Sequence, residues 1–173
     1  MKRVLKEIAQ FTLIAVFIIL PFRLFIAQPF VVNGASMFPT FHDGDYLIVD
    51  QLSHHFEDPK RDSVVIFKYP YDTSKYFIKR IIGLPGETVE IRDGVVTINR
   101  ELILDNSYIT EKQYDNFEVT LGPTEYFVLG DNRAHSSDSR IWGPLDQEYI
   151  VGRPLIQLLP FSNLGVFPGD RTQ

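Results

Sequence analysis

Hydrophobic and polar positions divide this chain into one unbroken apolar stretch and a long series of short alternating runs. From Ile8 to Ala27 every residue is apolar except Gln10, Thr12 and Arg23. Twenty helical residues span roughly 30 Å, the thickness of a bilayer's hydrocarbon core. The pattern therefore predicts a transmembrane helix over 8–27, with Pro21 able to kink it and Arg23 reaching for the nearer interface. A cleaved signal peptide shares the basic start and apolar run. Pro21 and Arg23, however, interrupt the stretch that should lead into a cleavage site, which favours a retained anchor.

From Gln28 onward the period drops to two. Phe30, Val32 and Gly34 alternate with Val31 and Asn33, and Tyr46–Val49 follows the turn His42-Asp43-Gly44-Asp45. Residues 51–62 are polar and read as a loop. Further strands are expected over Ser63–Lys68, around Lys79, over Thr88–Ile91 and Val95–Asn99, over Glu118–Leu121 and Glu125–Leu129, and finally over Tyr149–Val151 and Leu155–Leu159. Asp93-Gly94 suits a tight hairpin turn between the third and fourth of these, and Gly122-Pro123 suggests a second hairpin. Many short strands with frequent turns predict a mainly β domain, a partly open barrel or sandwich, over 28–173. Residues 1–7 would form a cytoplasmic head, and a small polar excursion is expected around 100–116.

Composition sharpens this picture in two ways. There is no cysteine among the 173 residues, which excludes disulfides and thiolate chemistry. The net charge of −5 argues against nucleic acid as a partner. It is also unevenly spread: Lys2, Arg3, Lys6 and Arg23 against Glu7 leave +3 on residues 1–28 and −8 on the rest. A basic head before an apolar run places the N-terminus in the cytoplasm and the body across the membrane.

The candidate chemistry lies in three blocks. The first, Gly34-Ala35-Ser36-Met37-Phe38-Pro39-Thr40, sets a serine just past the apolar stretch. A serine hydroxyl needs a partner to take its proton before it can act as a nucleophile. The second, Tyr76–Gly83, carries Lys79 among bulky apolar neighbours, where desolvation would lower its pKa. A lysine near its ordinary value of about 10.4 is almost wholly charged at pH 7, whereas one near about 8 is neutral about a tenth of the time, enough for a general base. The third, Gly130–Arg140, crowds hydrogen-bonding side chains into eleven residues. Within it Asp138 could pair with Arg80 or Arg140, and Ser136 or Ser139 could bond a neutral lysine amine. His42, His54, His55 and His135 show no ligand pattern, so no metal or other cofactor is expected.

Together, Ser36-Met37-Phe38-Pro39-Thr40, Lys79-Arg80-Ile81-Ile82-Gly83-Leu84-Pro85-Gly86, and Gly130-Asp131-Asn132-Arg133 through Ser136 to Arg140 resemble the boxes of bacterial type I signal peptidases. The order, the spacing and the preceding anchor all match. The resemblance implies a Ser/Lys endopeptidase of the cell membrane that cuts signal peptides from exported preproteins after small residues. It implies Ser36 as nucleophile, Lys79 as general base, Ser136 as the hydroxyl orienting that lysine, and Asp138, Arg140 and Arg80 as a salt-bridged support. The Ser36 N–H would be one oxyanion donor. Some relatives place a serine hydroxyl two residues earlier as a second donor; Gly34 stands there, so a backbone N–H or a water must replace it. Phe30, Val32, Met37, Phe41, Phe77 and Ile78 would line shallow pockets for small substrate residues. The partners implied are signal peptides and the lipid bilayer, with the protein-export translocon as a further candidate. Two other readings share some of these features. A self-cleaving repressor-type Ser/Lys protease would need a DNA-binding helix pair at the N-terminus. A membrane-anchored peptide-binding relative would need no intact Ser36 and Lys79.

Overall fold

The computed structural model describes residues 2–14, 16–17, 27–92, 95–103 and 116–169. Helix α1 (Lys2–Ile14) opens the chain, and half of the expected membrane-spanning stretch, residue 15 and residues 18–26, lies outside the described residues. Among the described residues no helix is long and apolar enough to cross a membrane.

The body is built from antiparallel strands: β1 (Ala27–Val31), β2 (Tyr46–Asp50), β3 (Val64–Tyr69), β4 (Asp72–Gly83), β5 (Thr88–Arg92), β6 (Val95–Ile98), β7 (Leu102–Ile103), β8 (Phe117–Thr120), β9 (Glu125–Leu129), β10 (Leu145–Asp146), β11 (Ile150–Leu159) and β12 (Gly165–Val166). A short helix α2 (Ser139–Trp142) follows the third block. The larger sheet runs β1-β2-β11-β3-β4-β9-β10, with β12 added to β11, and the smaller runs β7-β6-β5-β8. The larger sheet does not close on itself, so the partly open alternative describes it better than a barrel. Of the expected excursion, residues 104–115 lie outside the described residues.

The β5–β6 hairpin forms as expected, with Arg92 opposite Val95. The second expected hairpin does not. β8 pairs with β5 in the smaller sheet, while β9 pairs with β4 in the larger one. Gly122-Pro123 therefore carries the chain from one sheet to the other, a route that local turn chemistry does not distinguish from a hairpin. The two last expected strands are in fact one. β11 continues through Gly152-Arg153-Pro154, pairing first with β3 and then with β2. Gly152 makes this crossing possible, because a Cβ there would collide with the Asp50 carbonyl.

Alternation along β9 distributes its side chains between two cores. Phe127 and Leu129 pack with Ile82, Val89, Ile91, Val96, Ile98 and Leu121 between the sheets. Tyr126 and Val128 point the other way, onto Phe67, Ile81, Trp142 and Leu145. A third cluster joins Val32, Met37 and Phe41 to Leu47, Val49, Val64 and Ile66, and so ties the Ser36 loop to the sheet.

The crossing at Gly152 predicts a contrast. Gly152→Val forces backbone apart in a packed interior and should cost about 1–3 kcal/mol in chemical unfolding. Gly165→Ala, whose new methyl would meet only the Asn163 carbonyl at 3.7 Å, should be close to neutral.

Candidate active site

The Ser36 loop is fixed from both ends by its own sequence. Gly34 takes a φ of +87°, a left-handed conformation that glycine adopts without strain. Its N–H donates to the Asp43 carboxylate at 2.7 Å. Beyond Ser36, the Phe41 N–H donates to the Met37 carbonyl at 2.9 Å, and both side chains are buried in the third core cluster. From the far side of the site the Asn132 N–H donates to the Ser36 carbonyl at 3.0 Å. Gly130 lies so close to that carbonyl and to the Ser136 hydroxyl that any side chain there would displace them.

Strand β4 delivers Lys79 to this loop. Its Nζ donates to Ser36 Oγ at 2.8 Å and to the Ile78 carbonyl at 2.8 Å. Only 4 % of Lys79 is exposed. Burial lowers its pKa to about 8, while the Asp138 and Asp131 carboxylates pull the other way. The Phe77 ring lies 5.3 Å from the amine.

The supporting charges sort themselves differently from the expectation. Arg80, one residue on and facing the opposite side of β4, pairs with Asp131 rather than Asp138. Nε meets Oδ1 at 2.9 Å and Nη2 meets Oδ2 at 2.7 Å. Both side chains are 1 % exposed, and Thr40 Oγ1 donates to the same carboxylate at 2.5 Å. This pair therefore ties the strand of Lys79, the loop of Ser36 and the third block together. Asp138 pairs with Arg140, through Nε at 2.8 Å and Nη2 at 2.9 Å, and accepts the Gly130 N–H at 3.1 Å. Ser139 does not reach the lysine: its hydroxyl accepts the Val128 N–H at 3.0 Å. Ser136 is buried and its hydroxyl forms no hydrogen bond among the described residues, Lys79 included.

Between the Ser36 loop and the outer half of β4 lies a cavity of about 520 Å³. Phe30, Val32, Phe77 and Ile78 line it, as do Ser36 and Lys79. Met37 and Phe41 are not among its lining residues, because both point down into the core. Gly34 borders the cavity, but its N–H is already given to Asp43, so it does not supply the missing oxyanion donor. Leu47, Ile66, Tyr76 and His135 also line it, and the sequence reading missed all four. Leu47 and Ile66 come from strands distant in sequence, and only the sheet order brings them here.

A family profile described as signal peptidase, peptidase S26, matches residues 5–159. The chain belongs to the signal peptidase family. A probable signal peptidase I-1 of Synechocystis is 35 % identical over 168 residues, covering 93 % of this chain and 86 % of the relative. Signal peptidase I T of Bacillus subtilis is 37 % identical over 164 residues, covering 87 % of this chain and 83 % of that protein. Among solved structures, a signal peptidase I from Enterococcus faecalis is 34 % identical, with a TM-score of 0.51 over 56 % of this chain and 97 % of that one.

In this member of the signal peptidase family the Asp131 carboxylate is the support residue that the sequence reading left without a role. Its signal was its place directly after Gly130, but nothing local says which arginine it meets. Removing one partner of a buried ion pair strands the other. Asp131→Ala should therefore lower unfolding stability by about 3–5 kcal/mol, and Arg80→Met combined with Asp131→Leu should recover part of that loss.

Proposed function

We propose that this chain is a membrane-anchored signal peptidase whose nucleophile is Ser36 and whose general base is Lys79. The observation that carries the reading is the 2.8 Å hydrogen bond between the buried Lys79 amine and the Ser36 hydroxyl. With its pKa near 8, the amine is neutral in a useful fraction of molecules at pH 7. It takes the proton as Oγ attacks the scissile carbonyl, then passes it to the leaving amine. The same group activates the water that releases the acyl-enzyme. The Ile78 carbonyl holds the amine in place between these steps. The Ser36 N–H is the first oxyanion donor; the Ser136 hydroxyl, which the family resemblance assigns to the lysine, forms no hydrogen bond to it among the described residues.

The substrate is an extended peptide. Among the described residues β1 is paired only with β2, and β4 is paired only with β3 until β9 joins it at Arg80. The cavity thus lies between two strand edges that can each accept a further strand. Its walls beside Ser36 are Val32 and Ile78, branched side chains that leave room for small substrate residues such as alanine. The preproteins that carry such sites are the expected substrates.

The anchor is the apolar stretch 8–27. Its described part keeps Ile8, Phe11, Leu13 and Ile14 exposed on α1, as a helix meant for lipid rather than for a protein core would. The basic residues before it support an orientation with the N-terminus in the cytoplasm and the β domain outside.

Detergent-solubilised protein should cut a preprotein bearing an Ala-x-Ala site after the second alanine, as read by mass spectrometry, and Ser36→Ala should not. For the wild type, kcat/KM should rise about tenfold per pH unit below pH 8 and level off above it, because only the neutral amine is a base. Cleavage surviving in Ser36→Ala would overturn the reading. Lys79→Met should abolish cleavage and yet stabilise the fold. The folded amine titrates near 8 against 10.5 when free. The cost of burying it is therefore fully present below about pH 8 and disappears as pH rises toward 10.5. That cost is on the order of 3 kcal/mol, and a Tm at pH 7 that falls in Lys79→Met would contradict it.

A further inference from the structure

We infer that the segment 165–169 positions Ser36 against Lys79 from behind the site, with Gly169 as the residue that bears on the supports of both. The inference rests on the Ser36–Lys79 reading above. It gives a role to a stretch that takes no part in the chemistry itself.

The path of the segment is set by β11. After the turn Phe161–Asn163 the chain comes back as β12, with Gly165 opposite Gln157 and Val166 opposite Ile156. Phe167 then takes a φ of +49°. That left-handed conformation is costly for an aromatic residue and persists only where the surroundings impose it. Two contacts impose it here. The Phe167 N–H donates to the Leu155 carbonyl at 2.7 Å, and the ring lies 5.2 Å from the Arg153 guanidinium. Two residues later the chain reaches the rear of the site.

At Gly169 two supports meet. The first is Arg80. A guanidinium carries five N–H donors in a fixed plane, and at 1 % exposure those of Arg80 cannot turn to water. Nε and Nη2 donate to the Asp131 carboxylate, and Nη2 also reaches Thr40 Oγ1 at 3.4 Å. Nη1 donates to the Asp62 carbonyl at 2.5 Å and to the Gly169 carbonyl at 2.6 Å. Gly169 thus completes the set of acceptors that a buried guanidinium requires. Arg80 is the neighbour of Lys79 on β4, so a guanidinium held on every side fixes the strand that carries the base.

The second support is Phe41, which anchors the Ser36 loop from below. A Cβ at Gly169 would stand 3.0 Å from Phe41 Cε2 and 3.0 Å from Val64 Cγ2, so the bare backbone packs there. Its φ of +84° suits glycine as well. One residue therefore bears on the loop of the nucleophile and on the strand of the base. None of residues 165–169 lines the cavity. Loosening the segment should accordingly change catalysis and leave substrate binding alone. It should also let water reach the Lys79 amine, and because burial is what lowers that pKa, water would raise it.

The test uses full-length protein. Gly169→Val and Gly169→Ala press a side chain onto Phe41 and Val64, Phe167→Ala frees the segment from Arg153, and Gly165→Ala is the control. Each variant is assayed on the Ala-x-Ala preprotein across a range of pH. In Gly169→Val, kcat should fall about tenfold or more while KM stays within about twofold, since a small misplacement of reacting groups acts on rate. The break in its pH profile should move upward from about 8. Gly169→Ala and Phe167→Ala should show the same two changes in smaller measure, and Gly165→Ala neither. A fall in kcat with the break unmoved means only that fewer molecules are folded, and overturns the inference. A rise in KM with kcat unchanged overturns it in favour of a contact with substrate. Wild-type kinetics in Gly169→Ala and Phe167→Ala overturn it as well, and these two variants decide if circular dichroism shows Gly169→Val unfolded. No cleavage by the wild type overturns the Ser36–Lys79 reading and this inference with it.

Discussion

The rest of the site depends on a lysine amine kept out of water next to a serine hydroxyl. An ammonium group loses most of its hydration when buried, and among the described residues no carboxylate forms an ion pair with Lys79 to compensate. What it has instead is one hydroxyl and one carbonyl. Such an environment holds the neutral amine more comfortably than the charged one. The position is costly for folding and suited to proton transfer, a combination expected where chemistry rather than stability has shaped a residue.

The surroundings keep that amine in register. β4 alternates, so Lys79 faces the Ser36 loop while Arg80 faces away into a fully buried pair with Asp131. Thr40 reaches the same carboxylate from the loop of Ser36, and Asn132 holds the Ser36 carbonyl. The second pair, Asp138 with Arg140, fixes the backbone of Gly130, where there is no room for a side chain between Ser36 and Ser136. Two ion pairs behind the site therefore act as positioning elements, each tying segments that are far apart in sequence.

Much of this was legible in the sequence. The strands were visible because a half-buried strand alternates and its ends carry turn residues; Thr88–Arg92 and Val95–Ile98 are clear cases. Ser36, Lys79 and the third block were visible because their residue types and order resemble one family. What failed were properties that only distance in space decides. Gly122-Pro123 has the chemistry of a hairpin but joins two sheets. Asp138 was open to Arg80 or Arg140 and took Arg140, while Arg80 took Asp131, which the reading had left aside. Met37 and Phe41 are as apolar as pocket residues should be, yet they anchor the loop from below. The Gly34 N–H, a candidate oxyanion donor, was already committed to Asp43, and backbone commitments of that kind leave no trace in composition.

The central claim is that Lys79 is neutral enough near pH 7 to act as a base because its surroundings desolvate it. The most direct test is to titrate that one residue. Lysine labelled with carbon-13 at the ε position, followed by NMR in detergent-solubilised protein and assigned by comparison with Lys79→Met, reports the protonation of each amine separately. A midpoint near 8 for Lys79 is the predicted result. A midpoint close to the ordinary lysine value of 10.5 would contradict the account, since the amine would then be charged whenever Ser36 needed a base.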